Sequence, residues 1–298
     1  MQAAEIQYGK GIFGMKGGFL GLSSRIESDI STFTLKNEHS NLGNVYYGYD
    51  LTWLDSDQLR QKQKQYNSLA DILTNKASNY LWKKTKQKAI VLPEMEYRVK
   101  GLDANLRLGY DIIHQDDYNY LGVGLLLGVS APIVDADKGD SVAPDLGNLY
   151  NEAGYILKAQ KMFAKSKTKF TTYKVGPTIS FQKSILANRF SIYGTASYAL
   201  QNANIKNTFA HLNTKVNGSY QSYDFGLKFT PFPNNSENTF LFNSKLHITA
   251  GYKYNKWKTK DAIFDISGNQ IDSKLLSPFK KKFEMDSSTT YAGLSYSF

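Results

Sequence analysis

The final eight residues, Tyr291-Ala292-Gly293-Leu294-Ser295-Tyr296-Ser297-Phe298, constrain the fold more than any other stretch of the chain. Side chains alternate with period two along an extended strand, so Ala292, Leu294, Tyr296 and Phe298 share one face and Gly293, Ser295 and Ser297 the other. One face suits hydrocarbon and the other a polar interior. A sheet that spans lipid must leave no backbone group unpaired, which only a closed ring of strands achieves. The segment therefore reads as a closing strand that pairs with the first.

The same alternation recurs in segments 45–53, 102–112, 121–129, 172–181, 190–198, 222–229 and 245–254. In the second of these, Leu102, Ala104, Leu106, Leu108, Tyr110 and Ile112 oppose Asp103, Asn105, Arg107, Gly109 and Asp111. A soluble antiparallel sandwich also alternates. Here, however, the inward set is mostly Gly, Ser, Thr or charged, a poor dry core, and the apolar stripes end in Tyr, Phe or Trp as membrane-interface girdles do. The expected fold is all-β, a single closed antiparallel transmembrane β-barrel over residues 1–298. Residues 1–36 alternate more weakly; a first hairpin, which makes ten strands, is the expected reading, because a plug beneath eight need not alternate at all. Twelve strands require another hairpin at 263–271. Short connections at 36–44, 115–119, 184–188 and 231–238 interleave with long ones at about 55–94, 135–169, 204–215 and 255–287. This is the pattern of periplasmic turns and external loops. Within the first long loop, 59–76 reads as a short helix with Tyr66, Leu69, Ile72 and Leu73 on one side.

Composition narrows the alternatives. No apolar run of 18 residues exists, which excludes helical spanning, and the mean hydropathy of −0.43 is compatible with half-apolar strands. There is no cysteine, so thiol chemistry and disulfides are absent. Met1-Gln2-Ala3-Ala4 has neither a basic nor an apolar leader region, so a mature chain with an added or retained Met is expected. His39, His114, His211 and His247 are scattered, with no metal-ligand spacing and no phosphate-binding glycine motif, so no metal and no cofactor is expected.

The net charge of +10 would suggest nucleic acid in a soluble protein. Most of the excess falls in the external loops, so nucleic acid is not the expected partner. Lys83, Lys84, Lys86 and Lys88 crowd one loop and Lys280, Lys281 and Lys282 another, as a candidate polyanion-binding patch. The expected lumen-lining charges are Arg107, Lys174, Lys228, Lys245 and Lys253 against Asp50, Asp103, Asp111 and Asp224. Nearly balanced signs in a small barrel point to internal ion pairs rather than a wide pore.

Gly293, Tyr296 and Phe298 resemble the C-terminal assembly signal of bacterial outer-membrane β-barrels. The resemblance implies the outer membrane of a Gram-negative bacterium and recognition by the barrel assembly machinery. The length, the strand count and the same ending are also similar to omptins, the outer-membrane aspartyl-type proteases. That family has an Asp-x-Asp pair on its second external loop and an Asp-x-His pair on its fourth. Asp55 and Asp57 match the first and His211 part of the second, with Phe209 at the remaining Asp position. The leading expectation is a narrow channel favouring small anionic solutes; the alternatives are a surface barrel binding lipopolysaccharide or host polyanions through basic loops, and an omptin-like protease.

Overall fold

The computed structural model describes residues 3–19, 22–56, 59–61, 64–66, 90–92, 95–116, 119–138, 165–186, 189–207, 212–231, 245–260 and 283–297. Ten long strands make the wall: β1 (Ala3–Phe19), β2 (Leu22–Leu42), β3 (Val45–Ser56), β4 (Met95–Asp116), β5 (Asn119–Ser130 and Ile133–Lys138), β6 (Lys165–Ile185), β7 (Phe190–Asn207), β8 (Leu212–Phe229), β9 (Leu246–Thr259) and β10 (Glu284–Ser297). Each pairs antiparallel with its sequence neighbours, and β10 closes on β1 from Ala3↔Ser297 to Lys16↔Glu284. The ring therefore has no edge. Residues 3–36 contribute to β1 and β2, so the N-terminal segment is the first hairpin and not a plug.

Local chemistry sets the interruptions. β5 breaks at Ala131-Pro132, because Pro has no N–H to give a ladder. The gap is bridged by the Ala131 N–H donating to Leu102 O (2.7 Å) and the Phe170 N–H donating to Pro132 O (2.9 Å). The β2–β3 turn places Gly43 at φ 69°, which suits the first central position of a two-residue II′ hairpin loop.

The strands outrun the membrane. β4 has 22 residues and β2 and β6 have 21 each, whereas a tilted spanning strand needs about 9–11. Much of the expected external loops is consequently strand: 135–138, 165–169, 204–207, 212–215, 255–259 and 284–287 all lie in the wall. The start of the helix expected over 59–76 is corrected as well, while 67–76 lies outside the described residues. Leu59–Gln61 pairs with β4 at 95–97, and Lys64–Tyr66 pairs with Ile90–Leu92. Backbone pairing with the returning strand satisfies these residues better than an isolated turn of helix.

Candidate functional site

Two surfaces can carry chemistry, the lumen and the outer wall. In the lumen, small inward residues leave room for large ones. A Cβ at Gly122 would lie 2.6 Å from Tyr46 Cε1, and one at Gly128 would lie 2.8 Å from Lys174 Cε. The glycine face of β5 thus holds the Tyr46 ring and the Lys174 stem.

The side chains that fill this space form an ionic network. Asp50 accepts from Lys253 (3.0 Å) and Asn105 (3.0 Å), with Arg107 at 3.3 Å. Asp103 accepts from Lys174 (2.5 Å), the Ser130 hydroxyl (2.5 Å) and Asn105 (2.9 Å). Lys174 also sits 4.0 Å from the Tyr220 ring centroid. Lys36 reaches Asp224 from β2 at 2.7 Å. The Tyr291 hydroxyl donates to the same carboxylate at 2.5 Å, so at 2.7 Å it must accept from the Tyr193 hydroxyl. Nearer the periplasm, Asp111 meets the His39 ring and the Asn41 amide, and Glu5 accepts from Thr249 and Gln7. Lysines and carboxylates this deeply buried persist only when paired.

Of the lumen charges expected from the sequence, Asp50, Asp103, Asp111, Arg107, Lys174, Asp224 and Lys253 are buried inside. Lys228 is half-buried and donates to Gln182 at 2.8 Å. Lys245 is a correction: its phase is inward, but it precedes β9 and stands exposed below the wall. Lys36, assigned to a turn by the sequence reading, is a network member. A register shift between Asn37 and Ser40 breaks the alternation there and hides it.

A second layer closes the interior from outside. Phe13, Ile30, Leu54, Val99, Val134, Phe170, Ile205, Val216, Trp257 and Met285 point inward and pack together. On each strand they lie toward the external end of the polar residues: Leu54 beyond Asp50, Val99 beyond Asp103, Phe170 beyond Lys174, Trp257 beyond Lys253. The Trp257 ring is almost fully buried, and its N–H donates to Ser130 Oγ at 2.9 Å, tying the apolar layer to the ionic one. A small polar cavity remains beneath it, lined by Thr32, Thr34, Thr52, Asn255, Thr289 and Lys253 among others.

At the external rim, Asp55 faces outward on β3 and pairs with Arg98 at 3.1 Å, while Ser56 faces inward and accepts the Val99 N–H at 2.7 Å. Asp55 is therefore held in an ion pair on the wall. Asp57, His211, Lys83, Lys84, Lys86, Lys88, Lys280, Lys281, Lys282 and Phe298 lie outside the described residues, as do the side chains of Arg60 and Lys64. Among the described residues no cluster of three or more His, Asp or Glu is placed to hold a metal.

The outer wall is the reverse of the lumen. Leu106, Leu108, Val123, Leu125, Leu127, Val175, Ile179, Phe225, Leu227, Ile248 and Leu294 point away from the interior, and Leu227 and Leu294 are 56% and 59% exposed. Rings border this belt: Phe190 against Phe229 at the periplasmic end, Phe33 against Trp53 and Tyr223 against Tyr254 toward the outside. An edgeless ring, apolar outside and charged within, is stable only in lipid. The chain is an outer-membrane β-barrel. Its Tyr296 caps the closing strand opposite Ala4 and Leu246, and Gly293 stands opposite Gln7, whose Cγ a Cβ would approach to 2.9 Å.

No family model matches the chain, and no curated protein matches it. Solved barrels resemble it in shape. The outer-membrane protease OmpT of Escherichia coli is 10% identical, covering 99% of this chain and 97% of its own, with a TM-score of 0.46. The translocator domain of the autotransporter NalP of Neisseria meningitidis is 10% identical over 100% and 89%, with a TM-score of 0.36. The toluene transporter TodX of Pseudomonas putida is 8% identical over 99% and 89%, with a TM-score of 0.28. These neighbours differ in activity, and the description of this barrel rests on its own pairing and belt.

Proposed function

We propose that this is a non-conducting surface barrel whose basic external loops bind a polyanionic partner at the cell surface. The observation that carries the reading is the filled lumen, where paired charges occupy the middle and an apolar layer from all ten strands lies above them. A water-filled diffusion pore needs about 16–18 strands. A narrow anion path would have to pass both layers, and each lumen cation named above already faces a carboxylate or an amide. The strands continue outside the membrane and so raise a rigid collar under the loops. The loop between β3 and β4 carries Arg60, Lys62, Lys64, Lys76, Lys83, Lys84, Lys86 and Lys88 against Asp57, Asp71 and Glu94, an excess that concentrates anions near it.

Two measurements test the reading. Planar-bilayer recordings of the refolded barrel should show no stable conductance in the porin range. Binding of a sulfated polysaccharide such as heparin should weaken steeply between low and high salt, because the screening length falls from about 10 Å at 0.1 M to about 3 Å at 1 M. Changing Lys83, Lys84, Lys280, Lys281 and Lys282 to Ala should remove most of that binding. A porin-like conductance returns the anion channel to first place. Unchanged heparin affinity in the variant ends the loop-binding reading. Cleavage of a basic peptide that depends on Asp57 and His211 would favour a protease.

A further inference from the structure

The outward wall of β6, β7 and β8 changes character within a few residues. Tyr173 and Leu200 stand directly opposite Asn202 and Ser219 and are 60% and 66% exposed, which marks the external limit of the apolar belt. The next outward rungs are polar. Asn202 donates to Asn217 across the β7–β8 ladder at 2.8 Å, and Thr171 lies opposite Asn204. Beyond these come three lysines on three adjacent strands: Lys169 directly opposite Lys206, and Lys215 opposite Asn204. All three are exposed and outward.

Like charges directly opposite on one face of a sheet destabilise the pairing. Among the described residues, several other cations on the external rim face carboxylates. Arg98 and Lys100 meet Asp55, Lys167 meets Asp135, and Lys256 meets Glu284. Among the described residues, none of Lys169, Lys206 and Lys215 has a carboxylate opposite it in the ladder. Asp135, diagonal to Lys169, is engaged by Lys167.

The height fits one kind of anion. Lys169 is four residues beyond Tyr173, about 13 Å along a strand at about 3.3 Å per residue. At a tilt of about 45° that is roughly 9 Å along the membrane normal, just outside the hydrocarbon and in the headgroup layer. Lysine stems can bend back toward the belt to set their ammonium groups at phosphate level. We propose that Lys169, Lys206 and Lys215 form a seat for the phosphomonoester of an outer-leaflet glycolipid, with the acyl chains lying down the wall past Tyr173, Tyr198 and Leu200. A doubly charged phosphate between Lys169 and Lys206 turns their repulsion into two charge-assisted hydrogen bonds. The occupant is a membrane lipid and not a soluble anion, because the lysines stand on the lipid side of the wall directly above exposed apolar side chains.

The test uses the whole chain refolded into phosphatidylcholine nanodiscs with a minor fraction of diphosphoryl lipid A, and native mass spectrometry to count retained glycolipid. The wild-type barrel should retain lipid A at least about tenfold better than its dephosphorylated form. Lys169→Gln/Lys206→Gln/Lys215→Gln should lose that preference, and Arg98→Gln/Lys100→Gln on β4, two strands beyond β6, should keep it. Excess inorganic phosphate should not compete. Equal retention in the triple variant, equal retention of the dephosphorylated lipid, or displacement by inorganic phosphate each overturns the proposal. The substituted side chains are exposed, so folding should survive; if the triple variant does not fold, Lys206→Gln alone carries the same comparison. The loop variant that tests heparin binding keeps these three lysines, so the two readings fail independently.

Discussion

The Lys36–Asp224 pair gives the sharpest test of the lumen. Its partners are 1% and 5% exposed and 2.7 Å apart, and Asp224 also takes the Tyr291 hydroxyl. Asp224→Asn keeps the shape and an acceptor for Tyr291 but removes the carboxylate to which the Lys36 ammonium donates. Breaking a buried pair in this way costs about 3–5 kcal/mol, whereas replacing both partners with apolar residues of similar volume is neutral or stabilising by about 1–4 kcal/mol. At a urea slope of about 2 kcal/mol per M, the single change should lower the unfolding midpoint by about 1.5–2.5 M. Lys36→Met/Asp224→Leu should recover most of that loss. Tryptophan fluorescence in urea, on the barrel folded into lipid vesicles, reads both. If Asp224→Asn leaves the midpoint in place, or the double variant is as weak as the sum of its singles, the two residues are not a buried pair and the filled-lumen argument loses its basis.

Other expectations are smaller in scope. Gly122→Ala should cost about 1–3 kcal/mol from overpacking against the Tyr46 ring, and Tyr46→Leu should relieve it; an unrelieved penalty in the double variant would point to the backbone instead. Trp257→Ala should cost about 3–5 kcal/mol through the cavity it opens, while Trp53→Ala at the lipid face should cost less in the same urea assay. Lys256 holds the Glu284 carboxyl below its ordinary range through a hydrogen bond. This contribution is therefore present at neutral pH and lost as pH falls through the lowered value. The pair faces solvent, so Glu284→Gln should change stability by less than about 1 kcal/mol, and a larger loss would mean the rim is drier than its exposure indicates.

Strand identity, ring closure and the outward belt were legible because lipid and lumen impose opposite demands on successive residues. Seven of the nine expected lumen charges followed from the same alternation and are buried. The apolar layer was not legible. An inward Phe170 or Val99 sits where a polar residue is expected, so it reads as the end of a strand, and the strands were drawn too short for that reason. Lys36 was lost at an irregular register. The start of the helix expected at 59–76 shows the converse error, since apolar residues at helical spacing said nothing of the strands that pair with 59–61 and 64–66. The loop lysines and the pair with His211 depended on segments whose chemistry has no periodicity to report.

The bonds across the lumen also bear on how the ring is assembled. Lys36 and Asp224 are 188 residues apart, Lys253 and Asp50 are 203 apart, and Trp257 and Ser130 are 127 apart. Each joins strands that are not neighbours. A slip of one residue in any ladder turns a whole strand inside out, presenting Lys36 or Lys253 to hydrocarbon and leaving its partner stranded. Ladder hydrogen bonds alone are indifferent to such a slip, because every register offers the same donors and acceptors. The cross-lumen contacts form together only when all the strands are in phase. They therefore favour the in-phase barrel over misregistered ones that the backbone by itself would accept.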